Sequence, residues 1–447
     1  MRPAPYVADD WCRHGAAEQL THDPALARSN AQFISRQLEG VEFNPNPQLV
    51  PLRPVILPHS VRTSLDDATK FLTALIHRVC WDLTDDPVEL AALLGLRPEQ
   101  VPLLEAGGRH HEISYSACNG RLDLLLQGGK PVFLEANFSA ANVGPVATHF
   151  QLAAYRQLYG VEPLVNESCA GEPFEARARF YMKLLRERNA SPSVVIVGQT
   201  DERSSGDHRY FAAEASFLRE RGFRSSFVDP AAMAELRGKA RYSIAMKHFL
   251  SEYWRPLGVP LEAMAAAHSE TFFFVPDSGR SLSSKLVFAW LSEGTVPLTP
   301  SESSFVRQHI PWTRVVRDGE VEFEGSAWRL RDLALARQES FVLKPLTCCG
   351  GTGVTIGMTE SPEQWKRLVD EAIASGGFIV QEFVANDKLT MDFFDTLHNA
   401  VRSLEVSHVF GAYIVDGVGA GVTVRHFPDH GPAVVNVDLG ASLNVVI

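Results

Sequence analysis

The run NGRLDLLLQGGKPVFLEANF, Asn119 to Phe138, constrains the chain more than any other segment. Two apolar runs flank Gly128-Gly129, and paired glycines supply the left-handed backbone that a tight hairpin turn needs. The segment therefore predicts two strands that turn at Gln127-Gly128-Gly129-Lys130. Side chains alternate along a strand, so Arg121 and Asp123 share one face, and so do Glu135 and Asn137 on the return strand. Paired, the strands present carboxylate and amide oxygens beside an arginine. Their neighbours Leu122, Leu124, Phe133 and Leu134 are apolar. Strands this hydrophobic are expected to bury both faces, so the charges need a purpose. Hard oxygen ligands of this kind suit Mg²⁺, which keeps several waters and bridges to nucleotide phosphates. The simpler alternative is a hairpin with one polar outer face.

A second segment, FVLKPLTCCGGTGVTIG (341–357), ends an apolar run on Lys344 and follows it with Gly350, Gly351 and Gly353. A second apolar run comes next. Glycines permit close backbone approach, so the loop N–H groups can cradle phosphate, with Lys344 adding a fixed positive charge. The spacing fits neither a Walker A loop nor a dinucleotide-binding fingerprint. An ordinary hairpin turn is the competing explanation.

The remainder of the chain bounds the class. Its 447 residues suffice for two or three packed lobes, and 45% hydrophobic with 21% charged residues is ordinary for a globular protein. A net charge of −11 argues against a nucleic-acid or anionic-membrane partner. The start of the chain lacks a signal-peptide pattern, and no run of 18 apolar residues exists. Six scattered cysteines without CxxC spacing suit a reducing cytoplasm.

The first hundred residues read as mainly helical. Ser64-Leu65-Asp66-Asp67 has the form of a helix cap, and Asp86-Pro87 and Arg97-Pro98-Glu99 predict two further helix starts. The Pro-rich stretch between 44 and 58 is expected to be a linker or a wrapping arm. SVVIVGQT, a helix and FRSSFVD predict a small parallel α/β unit. SLSSKLVFAWLSEG places Lys285 before an apolar helix. SPEQWKRLVDEAIASGG reads as an amphipathic helix, FIVQEFV as a strand, and the C-terminus as strand-rich. His110-His111 is expected on a solvated loop. His248 and Trp254 are expected to pack. Ser139 and Asn142 either touch substrate or shape a turn. His426 and His430 are separated by Pro428, which disfavours a helical zinc site.

Taken in order, RLDLLL…PVFLEANFSAANVG, then VLKP…GGTGVTIG, a helix around Trp365 and FIVQEFV resemble the two halves of an ATP-grasp core. The metal half precedes the lysine half, which resembles the circularly permuted ATP-grasp ligases, a group that includes glutathionylspermidine synthase. The likeness spans 113–447. It implies an α/β fold of α+β lobes. A helical N-terminal region (1–110) would come first, then the metal-binding half (111–190). A small pre-ATP-grasp parallel α/β domain (191–280) would precede the nucleotide-binding half with C-terminal strands (281–447). It implies that Lys285 and Lys344 touch the nucleotide. Thr347, Gly350, Gly351 and Gly353 would close over the triphosphate, and Gln381 and Glu382 would lie near adenine and ribose. Asp123, Glu135 and Asn137 would hold one or two Mg²⁺ ions, and Arg121 and Arg425 would act on the transferred phosphate. Cys348-Cys349 departs from the bulky or basic residue expected before the glycines.

The implied function is an ATP-dependent carboxylate–amine ligase working through an acyl phosphate on amino-acid or small-peptide substrates, in the cytoplasm. Its partners would be a small carboxylic acid and an amine, with no nucleic acid and no membrane, and a homo-oligomer is left open. The alternatives are a small-molecule kinase and a nucleotide-binding protein without turnover.

Overall fold

The computed structural model describes residues 23–39, 48–139, 144–159, 171–198, 208–229, 242–248, 250–253, 271–347, 351–428 and 434–447, with 262 and 265. The expectations made for Asn142, Trp254, Cys348, Cys349, Gly350 and His430 lie outside these residues.

The predicted hairpin forms from Asn119–Gln127 and Lys130–Asn137. Gly128 and Gly129 have φ of 60° and 73°, the two consecutive left-handed residues that a two-residue turn uses. Gln127 opposes Lys130, Asp123 opposes Glu135 and Arg121 opposes Asn137. A bulge leaves Leu134 as the extra residue between the Asp123 and Leu124 pairs. Such bulges re-aim side chains. The hairpin joins a seven-stranded antiparallel sheet through Ala400–Val415. That strand is long enough to pair with Leu389–Asp395 over its first half and with Asn119–Gln127 over its second, and Val418–Pro428 also runs along it. The Pro-rich stretch wraps onto this sheet. Leu49–Pro51 pairs with Asp395–Phe393, and Val55 bridges to Val446.

A second, four-stranded antiparallel sheet carries the glycine segment. Phe341–Pro345 lies between Thr355–Ile356 and Phe378–Glu382, with Thr313–Val315 beyond. The amphipathic helix Pro362–Ser375 starts on the side-chain cap of Ser361, ends at left-handed Gly376, and buries Trp365 completely. Removing that indole from water stabilises the lobe by roughly 3–5 kcal/mol relative to alanine, and its Nε1 donates to Ala334 O at 2.9 Å.

A third sheet is parallel, in the order Arg224–Val228, Ser193–Val197, Ile244–Lys247, Phe272–Phe274. Its central strand is buried along its whole length, as expected of a sheet covered on both faces. None of the described helices is long and apolar enough to cross a membrane.

Three local expectations need correction. The helix His59–Trp81 begins five residues before Ser64, after Pro58, with no side-chain cap. Nothing in HSVRT stops a helix, so the turn before Ser64 simply continues it. Arg97-Pro98-Glu99 opens only the 3₁₀ turn Pro98–Gln100, because Pro102 disfavours helix at the residue before it. His110 and His111 lie in the helix Arg109–Tyr115, not on a loop. His111 is buried with its ring edge-on to Phe272 at 4.6 Å.

Candidate functional site

The hairpin face and three distant segments converge. Arg121 Nε and Nη2 donate to the two oxygens of Asp123 at 2.7 and 3.1 Å. Arg425, from Val418–Pro428, places Nη2 2.8 Å from Asp123 Oδ2. Lys285 immediately precedes the helix Leu286–Glu293, and its Nζ lies 3.1 Å from Glu135 Oε2. Its backbone N–H donates to Leu346 O at 3.0 Å, so the strand leading into the glycine segment holds this lysine in place. Lys344 Nζ donates to Gln381 Oε1 at 2.6 Å and reaches Leu134 O at 3.4 Å. Gln381 in turn donates to Thr313 Oγ1 at 3.1 Å. The Asn137 amide lies 3.4 Å from both Asp123 Oδ2 and Glu135 Oε1.

The strand opposite explains how Arg121 fits. Gly411 pairs with Asp123, and a Cβ there would stand 2.8 Å from Arg121 Cδ. Only glycine lets the arginine stem cross the neighbouring backbone. Tyr413 pairs with Arg121, and left-handed Gly144 leaves room for its hydroxyl, which a Cβ would overlap at 2.1 Å. Gly411, Tyr413, Gly144 and Thr313 were not singled out from sequence. Strand alternation around Gly411 and Tyr413 was a usable signal, but nothing local marks Thr313.

The electrostatics are unbalanced. Four cations, Arg121, Arg425, Lys285 and Lys344, face two carboxylates, Asp123 and Glu135. Each of these cations is 7–8% exposed, and Asp123 is 2% exposed. Burial by itself would raise the Glu135 pKa, but Lys285 and Lys344 hold it well below the usual carboxylate range. Burial pushes Lys344 down to about 8, with Glu135 opposing and Lys285 reinforcing the shift. Burial also disfavours the Arg121 charge, and Asp123 outweighs it, so Arg121 stays firmly protonated. Burial pushes the Tyr413 phenol up to about 12. Buried surplus charge is costly unless an anion completes it.

As a metal site, Glu135 contributes oxygens of the hard type that Mg²⁺ takes, whereas Asn137 turns its amide nitrogen toward Asp123 and Glu135 and would offer its oxygen only after the amide rotates. Asp123 converges on them, though both its oxygens are already engaged by arginines. Among the described residues no group of three His, Cys, Asp or Glu gathers for a metal. The donor set fits a cation that takes its remaining ligands from water and phosphate.

The other predicted positions sit at the periphery. Glu382 N–H donates to Trp312 O at 2.8 Å, and burial raises the pKa of its half-buried carboxyl. Thr347 Oγ1 is 3.5 Å from Gln100 Nε2, and its carbonyl accepts from Arg280. Gly351 and Gly353 have φ of 71° and 74°. A Cβ on Gly353 would stand 2.8 Å from Pro345, so the return of the loop requires glycine there.

No known family profile matches the chain, and no curated protein matches it. Solved structures do. A glutathione synthetase-like effector from Globodera pallida, solved without ligand, aligns at TM-score 0.57 and 10% identity, over 95% of this chain and 97% of that one. A gamma-glutamylcysteine synthetase-like protein from Methylobacillus flagellatus aligns at TM-score 0.40 and 13% identity, over 84% and 87%. The D-cycloserine synthetase DcsG aligns at TM-score 0.25 and 17% identity, over 49% and 67%. The first alignment alone is close enough to carry weight: over nearly its whole length, this chain shares the fold of the glutathione synthetase-like effector.

Proposed function

We propose that the protein is an ATP-dependent carboxylate–amine ligase with a circularly permuted ATP-grasp core. The observation that carries the reading is the buried surplus of four cations over two carboxylates at one site. Lys285 and Lys344 would neutralise the phosphates of a nucleotide lying between the two antiparallel sheets. Arg121 and Arg425 supply more positive charge than nucleotide binding needs, which suits a second anion, the carboxylate to be activated. The fold shared with a glutathione synthetase-like protein supports the same class.

Each residue then has a task. Glu135 and Asn137 would hold Mg²⁺, which offsets negative charge on the transferred phosphoryl group. Phosphoryl transfer needs positioning and charge neutralisation rather than covalent help from the protein. Lys344 is oriented by Gln381, and Gln381 by Thr313, so the ammonium meets an incoming phosphate without reorganising. The carboxylate attacks the γ-phosphorus, ADP leaves, and an amine displaces phosphate from the acyl phosphate to form an amide. The segment 347–353 closing over the site would exclude water that would hydrolyse the intermediate.

The test supplies ATP, Mg²⁺ and a panel of acids, with and without amines, and measures ADP, AMP and phosphate. Hydroxylamine is added to trap acyl phosphate as a hydroxamate. The expected result is ADP with a trappable acyl group. AMP as product, or ADP with no trappable acyl group for any acid and amine pair, overturns the reading. An ester phosphate inert to hydroxylamine would identify a kinase.

A further inference from the structure

A small cleft opens at the carboxyl ends of Ile244–Lys247 and Phe272–Phe274 in the parallel sheet. This is the end of an open parallel sheet where ligands gather. Its far wall is Phe138 and Ser139, the residues directly after Asn137. That wall is tightly fixed. Phe138 N–H donates to Ser283 Oγ at 2.8 Å, and a Cβ on Gly279 would stand 2.7 Å from Phe138 O.

The cleft mixes apolar lining with buried charge, and its backbone is strained. Lys247 Nζ donates to Asp277 Oδ1 at 2.8 Å, and both residues are buried. Ser251 also donates to Asp277, and Leu103 N–H donates to its second oxygen at 2.9 Å. Asp277 is thereby saturated and Lys247 neutralised. Arg280 is different. It is 8% exposed, and its Nη2 donates to the Thr347 carbonyl. It approaches Glu252 only to 3.8 Å, and its Nε has no hydrogen-bond partner among the described residues. A buried guanidinium N–H left unpaired is costly, because it loses water without gaining a partner. Val275, which lines the same cleft, holds a left-handed φ of 59°. For a β-branched residue such a backbone is strained, and it persists where the surrounding structure holds it. The space is small, ≈ 10 Å³, which admits about one water or one ligand oxygen.

We propose that this cleft recognises a non-reacting carboxylate of an amino-acid or peptide substrate, with Arg280 Nε as the recognising donor. An oxygen seated there leaves the rest of the ligand to extend past Ser139 toward Asn137 and the cations of the main site. Arg280 also donates to the carbonyl of Thr347, which fixes its guanidinium before the carboxylate arrives. The inference rests on the ligase reading and deepens it.

The experiment measures thermal shifts for the full chain with Mg·ADP and each of the twenty L-amino acids, against their carboxamide counterparts. Wild type is compared with Arg280→Gln and Arg280→Lys, and circular dichroism establishes that each variant folds. At least one amino acid is expected to raise Tm, its carboxamide to fail, and Arg280→Gln to bind it at least tenfold more weakly. Arg280→Lys, which keeps a donor and a charge, should retain part of the shift. No stabilising amino acid, an equally effective carboxamide, or a shift unchanged in both variants overturns the proposal. If Arg280→Gln does not fold, Arg280→Lys and Ser251→Ala decide by the same carboxylate-against-carboxamide comparison. Phosphate release on the same panel separates the two ideas. Carboxylate-selective binding with no phosphate release under any pairing sinks the ligase reading and leaves the cleft. Release that proceeds equally well with carboxamides sinks the cleft and leaves the ligase.

Discussion

Two regions bury arginine–carboxylate pairs, and they differ in charge. At the hairpin face, Arg121 and Arg425 converge on Asp123, and Lys285 and Lys344 flank Glu135. In the parallel lobe, Arg177 Nε lies 3.2 Å from Glu214 Oε1, His248 Nε2 3.1 Å from Oε2, and the Tyr181 hydroxyl 3.4 Å from Oε1. Burial there holds the His248 pKa down, and Arg177 keeps Glu214 ionised despite its burial. The second cluster sets one cation against one anion, with Arg177 Nε and Nη2 making no hydrogen bond among the described residues, whereas the first gathers four cations around two carboxylates among the described residues. Burial of charge does not by itself mark a functional site.

The largest expected effect tests that imbalance. Glu135→Gln should leave the fold intact and lower turnover by on the order of 10³-fold, as the loss of a preorganised electrostatic group typically does. Circular dichroism and product formation over a Mg²⁺ titration check it. Wild-type activity at low Mg²⁺ would remove Glu135 from any metal role.

The balanced cluster should behave in the opposite way. Glu214→Gln leaves Arg177 buried without its counter-charge and should cost about 3–5 kcal/mol of stability. Arg177→Met combined with Glu214→Leu should recover most of that loss. Urea denaturation of the three variants measures it, and a double variant as unstable as the single one would refute the balanced-pair description.

A third buried group sharpens the contrast through pH. His408 and His426 oppose each other across two strands, and burial lowers their pKa values to about 4 and about 3. The unfolded chain therefore takes up protons first. Stability is full above about pH 6.5 and falls as the pH drops toward those folded values, by up to about 1.4 kcal/mol per pH unit for each histidine. His426→Phe should shift the acid midpoint downward. An unchanged midpoint would place the acid sensitivity elsewhere.

The smallest effect concerns one cation of the surplus. Lys344→Ala should weaken ATP binding by about 1.5–3 kcal/mol, the worth of a charge-assisted hydrogen bond. Because burial pushes Lys344 down to about 8, its positive charge is lost as the pH rises above that value. Wild-type nucleotide affinity should fall as pH rises through 8, while the alanine variant should show a flatter profile. Calorimetry at several pH values tests both, and parallel profiles would exclude Lys344 from the nucleotide contact.

Much of this architecture was legible locally. Period-two alternation and two glycines marked the strands and their turn, but an unbroken register would set Asp123 opposite Leu134, and only the bulge at Leu134 brings Asp123 opposite Glu135 and Arg121 opposite Asn137. The helix around Trp365 and the parallel run at Ser193 followed from their apolar patterns. Cap signals were less reliable. Ser64 looked like a helix start, yet the helix begins at His59, because a capping residue inside a competent helical sequence does not stop it. The buried setting of His111 was equally invisible, since its neighbour Phe272 lies far along the chain.

The sequence by itself determined which residues share a face, because strand and helix periodicities are local properties of the backbone. It could not determine which faces meet. Asp123 and Arg425 are adjacent only because Ala400–Val415 pairs with the hairpin on one edge and with Val418–Pro428 on the other. Lys285 reaches Glu135 only because its backbone is tied to Leu346. Gly411 matters only where the Arg121 stem crosses it. These contacts come from long-range packing, in which a residue's partner depends on the whole sheet order rather than on its own neighbours. The charge surplus that defines the candidate site is therefore a property of the tertiary structure alone.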